Sequence, residues 1–317
     1  MAAVPQLASE RKQHTQPRAG TWRRALRRNL SGWLFASPWI LGFLLWTVGP
    51  MVASLFIAFT NWDLLTTPRF VGMQNFTTML ADNLVWKSLQ VTTVYAIVSV
   101  PLQIALGLGL ALLLNADIRL LRFYRTAYYL PSVLSGVAVA LLWRWLFSTE
   151  FGLFNAMLAR IGIQGPSWLG DPNWALPSLI LMSLWSVGAG TIIYLAGLQG
   201  IPTDLYEAAQ VDGASSWVRF WNITLPMMTP VLFFTLVTGF IAALQVFTQA
   251  FIMTSGGPNN ATLFYLLYLY RNAFEYFRMG YASALAWVLF IYILLLTLAL
   301  QGTSRYWVYY EGEDRKG

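Results

Sequence analysis

Six apolar stretches, each about as long as a bilayer is thick, constrain this chain more than any other feature. A helix needs about 20 mainly apolar residues to cross the ~30 Å hydrocarbon layer. Residues 34–59, 89–114, 127–147, 175–198, 227–253 and 282–300 all meet that length. Polar or turn-rich sequence separates them, such as Asn61-Trp62-Asp63, Asn115-Ala116-Asp117 and Ser255-Gly256-Gly257-Pro258. Backbone inside hydrocarbon has no water to bond, so each stretch must satisfy its own N–H and C=O groups as a helix. The first stretch is too long for the apolar core of a signal peptide and reads as a retained helix. Composition agrees: 57% of residues are hydrophobic and 10% charged, against about 25% charged in a soluble domain. Fifteen Trp and fifteen Tyr suit a protein anchored at two membrane–water interfaces. The expected fold is an all-α membrane protein with six transmembrane helices, not a water-soluble enzyme.

Orientation follows from the basic residues, because Lys and Arg concentrate in cytoplasmic loops. The N-terminal arm holds Arg11, Lys12, Arg18, Arg23, Arg24, Arg27 and Arg28. The loop after the second stretch adds Arg119, Arg122 and Arg125, the loop after the fourth adds Arg219, and the tail adds Arg305, Arg315 and Lys316. Opposite them stand only Arg69, Lys87, Arg160, Arg271 and Arg278. Both termini are therefore predicted to be cytoplasmic, and the surplus behind the net charge of +7 is topogenic rather than a nucleic-acid surface. Arg144 falls inside the third stretch. Between Trp143 and Trp145 near the outer end, its long side chain is expected to snorkel to the headgroups.

Missing residues narrow the chemistry. There is no cysteine, and the one histidine, His14, lies in the polar arm. Thiolate chemistry, zinc sites and histidine catalysis in the core are excluded, and neither a metal nor a cofactor is expected in this chain. No stretch carries two carboxylates in its apolar core, as a proton relay or sodium-coupled site would. A phosphate-binding loop needs Gly-x-x-x-x-Gly-Lys-Ser/Thr, and none of the three lysines, Lys12, Lys87 and Lys316, fits it. If the chain moves something against a gradient, another subunit supplies the energy. Intramembrane Gly188-Ala189-Gly190 is expected to leave room beside Trp185 and Ser186.

The loop between the fourth and fifth stretches is the most informative. Pro202 should end the membrane helix, with Thr203 or Asp204 capping a short helix through Glu207, Ala208 and Ala209. Gly213 is a natural C-terminal stop for it. Ser215 or Ser216 should cap a second short helix carrying Trp217, Phe220 and Trp221, and Pro226 sits near the start of the next span. The small Ala208–Ala209 face suits a helix laid into a partner's groove. An amphipathic connector on the membrane surface fits the same residues.

Glu207-Ala208-Ala209, then Gly213, Ile223 and Leu225-Pro226, resembles the signature loop of binding-protein-dependent ABC importer permeases at every spacing. Residues 70–76 (FVGMQNF), 166–172 (PSWLGDP), 196–202 (AGLQGIP), 254–258 (TSGGP) and 280–284 (GYASA) resemble the first-type permease of carbohydrate importers. The likeness runs from about Leu34 to Gln301. One departure stands out: the family often shows Phe-Asp shortly before the Gly-Gly-Pro turn, and this chain has Phe247-Thr248, which points to a different substrate.

The resemblance implies the type I ABC importer permease fold, in a multi-pass subunit of a bacterial or archaeal cytoplasmic membrane. It implies a basic cytoplasmic arm at 1–32, a six-helix permease domain at 33–302 with a coupling loop at 199–226, and a cytoplasmic tail at 303–317. The implied partners are a second permease, two ATPase subunits that bind ATP and Mg, and an external solute-binding protein, for import of a sugar, oligosaccharide or polyol phosphate. Glu207, Ala208, Ala209, Asp212 and Gly213 would dock on an ATPase. Trp185, Ser186, Gly239, Gln245, Phe247 and Gln249 would line the substrate pathway, with aromatic faces for stacking and polar groups for hydroxyls. The outer loops at 61–86 and 148–174 offer docking surface to the binding protein. An ion-coupled carrier without an ATPase is the alternative.

Overall fold

The computed structural model of the chain describes residues 21–116 and 121–309. His14, the arm's Arg11, Lys12 and Arg18, Asp117, Arg119, and Arg315 and Lys316 of the tail lie outside the described residues. The chain divides into two compact units, residues 1–54 and 55–317.

In the first unit, helix α1 (Thr21–Phe43) continues through a π-helical turn (Leu44–Val48) into α2 (Gly49–Ala58), which carries the chain into the second unit. Among the described residues, four helices are long and apolar enough to cross a membrane: Gly32–Ala58, Asn83–Leu114, Ser216–Ala243 and Met279–Trp307. Two further spans exist only as bent pairs, so the six expected crossings require each pair to count as one.

The second unit is built around α4 (Asn83–Leu114), the second expected span extended by six residues at its start. Ahead of it lie a small antiparallel hairpin, β1 (Thr60–Asn61) on β2 (Arg69–Phe70), and α3 (Gln74–Ala81). Asp82 caps α4 by accepting from the Leu84 amide at 2.9 Å. The same carboxylate accepts from the hydroxyls of Tyr268 and Tyr281. Burial pushes its pKa up, but these hydrogen bonds outweigh burial and hold it below the ordinary carboxylate value. It therefore stays charged at neutral pH, and its contribution fades only as pH falls through that lowered pKa.

The third expected span is broken. Helices α5 (Leu121–Val133) and α6 (Gly136–Leu146) meet at 98°. Pro131 removes a helical donor, and Ser135 turns to ψ 131°, out of the helical range. A loop with the short helix α7 (Leu153–Arg160) leads to the fourth span, which is also bent. Helix α8 (Pro172–Ser183) ends in a 3₁₀ turn (Leu184–Ser186), and α9 (Gly188–Gln199) leaves it at 48°. At that bend the hydroxyls of Ser183 and Ser186 donate back to the carbonyls of Ile180 and Ser183, a local bonding that competes with the regular helix. The room expected at Gly188 beside Trp185 and Ser186 is filled from elsewhere: a Cβ there would lie 1.8 Å from the Tyr128 carbonyl oxygen.

The loop helix α10 (Thr203–Val211) is followed by α11 (Ser216–Arg219), a π turn (Phe220–Thr224) and α12 (Leu225–Ala243). The expected second loop helix is thus the N-terminal extension of span five, starting at Ser216. Its wide turn just ahead of Pro226 suits a residue that has no amide hydrogen to donate. Span five does not continue to Met253: the helix stops at Ala243 and resumes as a π turn (Ala250–Thr254). Beyond a tight loop through Ser255 to Asn260 come α13 (Tyr265–Tyr270), a π turn (Arg271–Glu275) and α14 (Met279–Trp307). Helix α14 runs past residue 302 into the stretch the sequence assigns to the tail.

Two apolar cores result. The larger gathers Tyr95 and Val100 of α4, Phe147 just after α6, Leu179 of α8, Phe264 just before α13 and Leu285 of α14. The smaller joins Leu108 and Ala111 of α4 to Tyr194, Leu195 and Leu198 of α9, together with Ile201 and Met228. Gly188→Ala should force α5 away from α9 and cost roughly 1–3 kcal/mol, the usual range for overpacking. Gly109→Ala, with nothing within 4 Å of its added Cβ, should be neutral or gain up to ~1 kcal/mol. Thermal unfolding in detergent reads both.

Candidate functional site

Non-helical backbone at membrane depth survives only where protein buries it or it lines a cavity. The three interrupted spans converge on one such place. A cavity of about 130 Å³ is lined by Leu134 and Gly136 at the α5–α6 break, Ser183, Trp185 and Ser186 at the α8–α9 bend, and Gln249 beyond the end of α12. Tyr95 of α4 closes its core side. A second cavity, about 230 Å³, shares Ser186 and continues toward Gln103, Tyr194, Thr235, Thr238 and Gly239.

Four of the six pathway residues expected from sequence are therefore brought together: Trp185, Ser186 and Gln249 at the first cavity, Gly239 and again Ser186 at the second. Trp185 is 46% exposed and stands edge-on to Trp143, with ring centres 5.9 Å apart. The other two line neither cavity. Gln245 folds back so that its amide donates to the Ile241 carbonyl at 3.1 Å, satisfying the end of α12. Phe247 stacks on Phe251, with centres 5.2 Å apart, and packs against Tyr270.

Arg144, expected to snorkel outward, also has a partner within the protein. Its guanidinium donates to the Ile252 carbonyl at 3.2 Å, inside the π turn that follows the break in span five. The charge thus braces α6 against the segment that carries Gln249.

Sequence reading missed Gln103, whose amide donates to the Ser183 hydroxyl at 3.0 Å and ties α4 to the bend of span four. The signal was present, since an amide in the middle of an apolar span is costly unless it finds a partner. Thr235 and Thr238 gave no such signal, because each hydroxyl bonds back to its own helix.

The residues expected to contact an ATPase form a separate feature at the other end of α9. Glu207, Ala208, Asp212 and Gly213 are exposed on α10 and its C-terminal turn, and Ala209 is half-buried. Pro202 holds the N-cap position without a side-chain cap, so neither Thr203 nor Asp204 plays the capping role expected of it. The C-terminal stop is as expected. Gly213 adopts φ +77°, its amide donates to Gln210 at 3.1 Å, and the Ala214 amide donates to Ala209 at 2.8 Å, which together make a Schellman motif. Ser215 caps α11 through the Val218 amide. The helix is tied to the body by buried Ile201 and by the hydroxyls of Tyr206 and Thr224, 2.9 Å apart. Leu205 and Val211 stand out unexpectedly: Val211 is 89% exposed on a short helix with an apolar side chain. Such an arrangement can carry a push from outside into the core, and it can accept a groove.

Comparison with known proteins gives the same picture. The family described as "Binding-protein-dependent transport system inner membrane component" matches residues 103–306. The probable ABC transporter permease protein YesP of Bacillus subtilis (strain 168) is 48% identical over 92% of this chain and 96% of its own. The lactose transport system permease protein LacF of Rhizobium radiobacter is 36% identical over 88% of this chain and 96% of its own. A crystal structure of a bacterial ABC transporter involved in import of the acidic polysaccharide alginate superposes with TM-score 0.79 at 26% identity, covering 90% of this chain and 98% of that one. The alginate transporter in complex with an alginate pentasaccharide-bound periplasmic protein gives TM-score 0.78 at 27% identity, covering 89% and 96%.

The chain has no native cysteine, so the cavities can be mapped directly. Ser186→Cys and Gln249→Cys should react with a membrane-impermeant maleimide, whereas Leu285→Cys, at a fully buried position, should not. Labelling followed by gel shift checks this.

Proposed function

The chain belongs to the binding-protein-dependent transport system inner membrane components, and from that premise we propose that it forms half of the translocation path of an ATP-driven carbohydrate importer. It is a multi-pass membrane protein and a transport subunit rather than an enzyme. The observation that carries the reading is the meeting of three interrupted spans at a cavity lined by an indole, a phenol, three serines and a glutamine. An aromatic face with hydroxyl and amide groups is the chemistry a pyranose needs: stacking for its C–H face and hydrogen bonds for its hydroxyls. No carboxylate lines either cavity, so nothing there favours the ion-coupled alternative. That a lactose permease, LacF, and the alginate importer are similar over most of the chain supports a carbohydrate as cargo.

The energy enters through partners. In this reading a second permease completes the path, two ATPase subunits bind ATP and Mg, and an external solute-binding protein delivers the sugar. Helix α10 fills a groove on one ATPase with Glu207, Ala208, Ala209 and Asp212, and the exposed Leu205 and Val211 add apolar contact. Both termini face the cytoplasm, with the arm at 1–32 and the tail at 303–317 flanking the permease domain. When the ATPase pair closes, α10 moves as a lever, and its ties through Ile201 and Tyr206 pass the motion to α9 and α12. Trp185, Ser186, Gly239 and Gln249 then change exposure from one side to the other, while Gln245 and Phe247 shape the break beside them.

The test is purification from native membranes. The chain should bring with it a second permease and an ATPase, and the reconstituted complex should take up sugar on ATP hydrolysis. Uptake driven by a proton or sodium gradient without any ATPase would overturn the reading. The lever is tested at Gly213, where a Cβ meets nothing within 4 Å and only the backbone angle is at stake. Gly213→Val should insert normally yet uncouple ATP hydrolysis from uptake, because left-handed backbone costs an L-residue about 1–2 kcal/mol. Gly213→Asn, which tolerates that conformation, should transport nearly normally.

A further inference from the structure

At the far end of α4 from the α10 lever lies a polar pocket that the transport path does not use. It has a volume of about 250 Å³ and is lined by Asn61, Gln74, Thr78, Asp82, Arg278 and Tyr281. Its position is set by α4, which packs its Leu108 and Ala111 end against Leu198 and Ile201 beside the lever. Thirty-two helical residues separate the two ends by about 48 Å, at ~1.5 Å per residue. If α10 meets the ATPase, the pocket opens on the external face.

Its walls are rigid. The Asn75 amide donates to the carbonyls of Ala58 and Thr60 at 2.8 and 2.9 Å. The amides of Met279 and Gly280 both reach the Trp62 carbonyl, and Gly280 lies so near Thr60 that a Cβ would stand 1.9 Å from its oxygen.

Within this frame the polar groups divide into used and unused. The Asp82 carboxylate is taken by two tyrosine hydroxyls and the Leu84 amide. The side chains of Asn61, Gln74, Thr78 and Arg278 make no hydrogen bond or ion pair among the described residues, and Arg278 is exposed. The free functional groups therefore amount to one guanidinium with amide and hydroxyl groups around it, and the only negative charge in the pocket is already satisfied. Two residues that directly precede lining residues in the chain are large, apolar and exposed: Phe70, before Val71, is 72% exposed, and Met73, before Gln74, 59%. Exposed apolar residues next to fixed polar groups are the composition of a protein-binding patch.

We propose that this pocket receives an acidic side chain on a surface loop of the external solute-binding protein, with Arg278 as its ion-pair partner and Phe70 and Met73 as the apolar contact. The proposal rests on the importer reading and names where that partner seats. Because Asp82 both lines the pocket and caps α4, an occupant there touches the helix that reaches the lever at its other end.

The experiment uses the reconstituted permease–ATPase complex and the solute-binding protein that stimulates its ATPase. Arg278→Ala should weaken binding of that protein by at least about tenfold, as loss of one member of a desolvated charge pair does, and Arg278→Glu should weaken it further. Phe70→Ala should weaken it as well. Arg305→Ala, which removes an exposed charge from the opposite end of α14, should bind as wild type. Basal ATPase activity without the binding protein should be unchanged in all four. Unaltered binding by Arg278→Ala and Arg278→Glu overturns the pocket while leaving the importer reading intact, and so does an equal loss in Arg305→Ala. A wild-type complex that no such protein stimulates overturns both.

Discussion

Every backbone polar group inside a bilayer must find its partner within the protein, and the architecture of this chain follows from where that rule is strained. Helices α4 and α14 obey it with unbroken ladders and make the frame. The remaining core spans break, at Leu134–Ser135, at Leu184–Val187 and at Leu244–Phe247. A break frees carbonyls and amides, and side chains bond such groups at two of the three. Serine hydroxyls serve at the bend of span four, the Gln245 amide at the end of α12, and the Arg144 guanidinium at Ile252. A repaired break is also a place where polar groups sit at membrane depth, so the solution to a folding problem leaves polar walls for a path.

Charge follows the same logic. Arg144 and Asp82 are the charges most deeply involved in the fold, and neither is matched to an opposite charge. Arg144 gives a hydrogen bond to a carbonyl, and Asp82 takes hydrogen bonds from two phenols and an amide. Among the described residues the one ion pair joins Arg271 to Glu275 within a single turn, where it is worth little. Hydrogen bonds to neutral groups let the protein hold a charge in place without bringing a second one into an apolar setting, where desolvating both costs more than their attraction returns.

This explains which parts were legible in the sequence. Apolar length located the four long helices and the two bent pairs, because length is a property of the whole segment. It could not locate the breaks in spans three to five, because a proline, serine or glutamine interrupts a helix in one context and not in another. Pro101, in α4, sits in a helix that runs on unbroken. The α10 lever was readable down to its terminal glycine, since a Schellman motif is local and needs only a residue that accepts positive φ. Its start was misread: Thr203 and Asp204 are good caps in isolation, but Pro202 already occupies the N-cap. Ser186 and Gln249 were found through the resemblance. Gln103 and Arg144 act through partners 80 and 108 residues away, and no local pattern encodes those.

Any coupling between α10 and the cavity would run through α9. Its C-terminal half shares the smaller core with α4 and Met228 of α12, next to Ile201 at the root of the lever. Its N-terminal residue, Gly188, touches the backbone of α5 so closely that no side chain fits. A helix of twelve residues, about 18 Å long at ~1.5 Å per residue, therefore has the lever at one end and the bent wall of the cavity at the other. Close-packed interfaces shift between discrete arrangements rather than deform smoothly. In the proposed importer, a displacement of α10 would thus reach Ser186 and Tyr128 as a movement of α9 as one body. The bend between α8 and α9 is where that movement can be absorbed, because its carbonyls are held by serine hydroxyls able to rotate rather than by a continuous ladder.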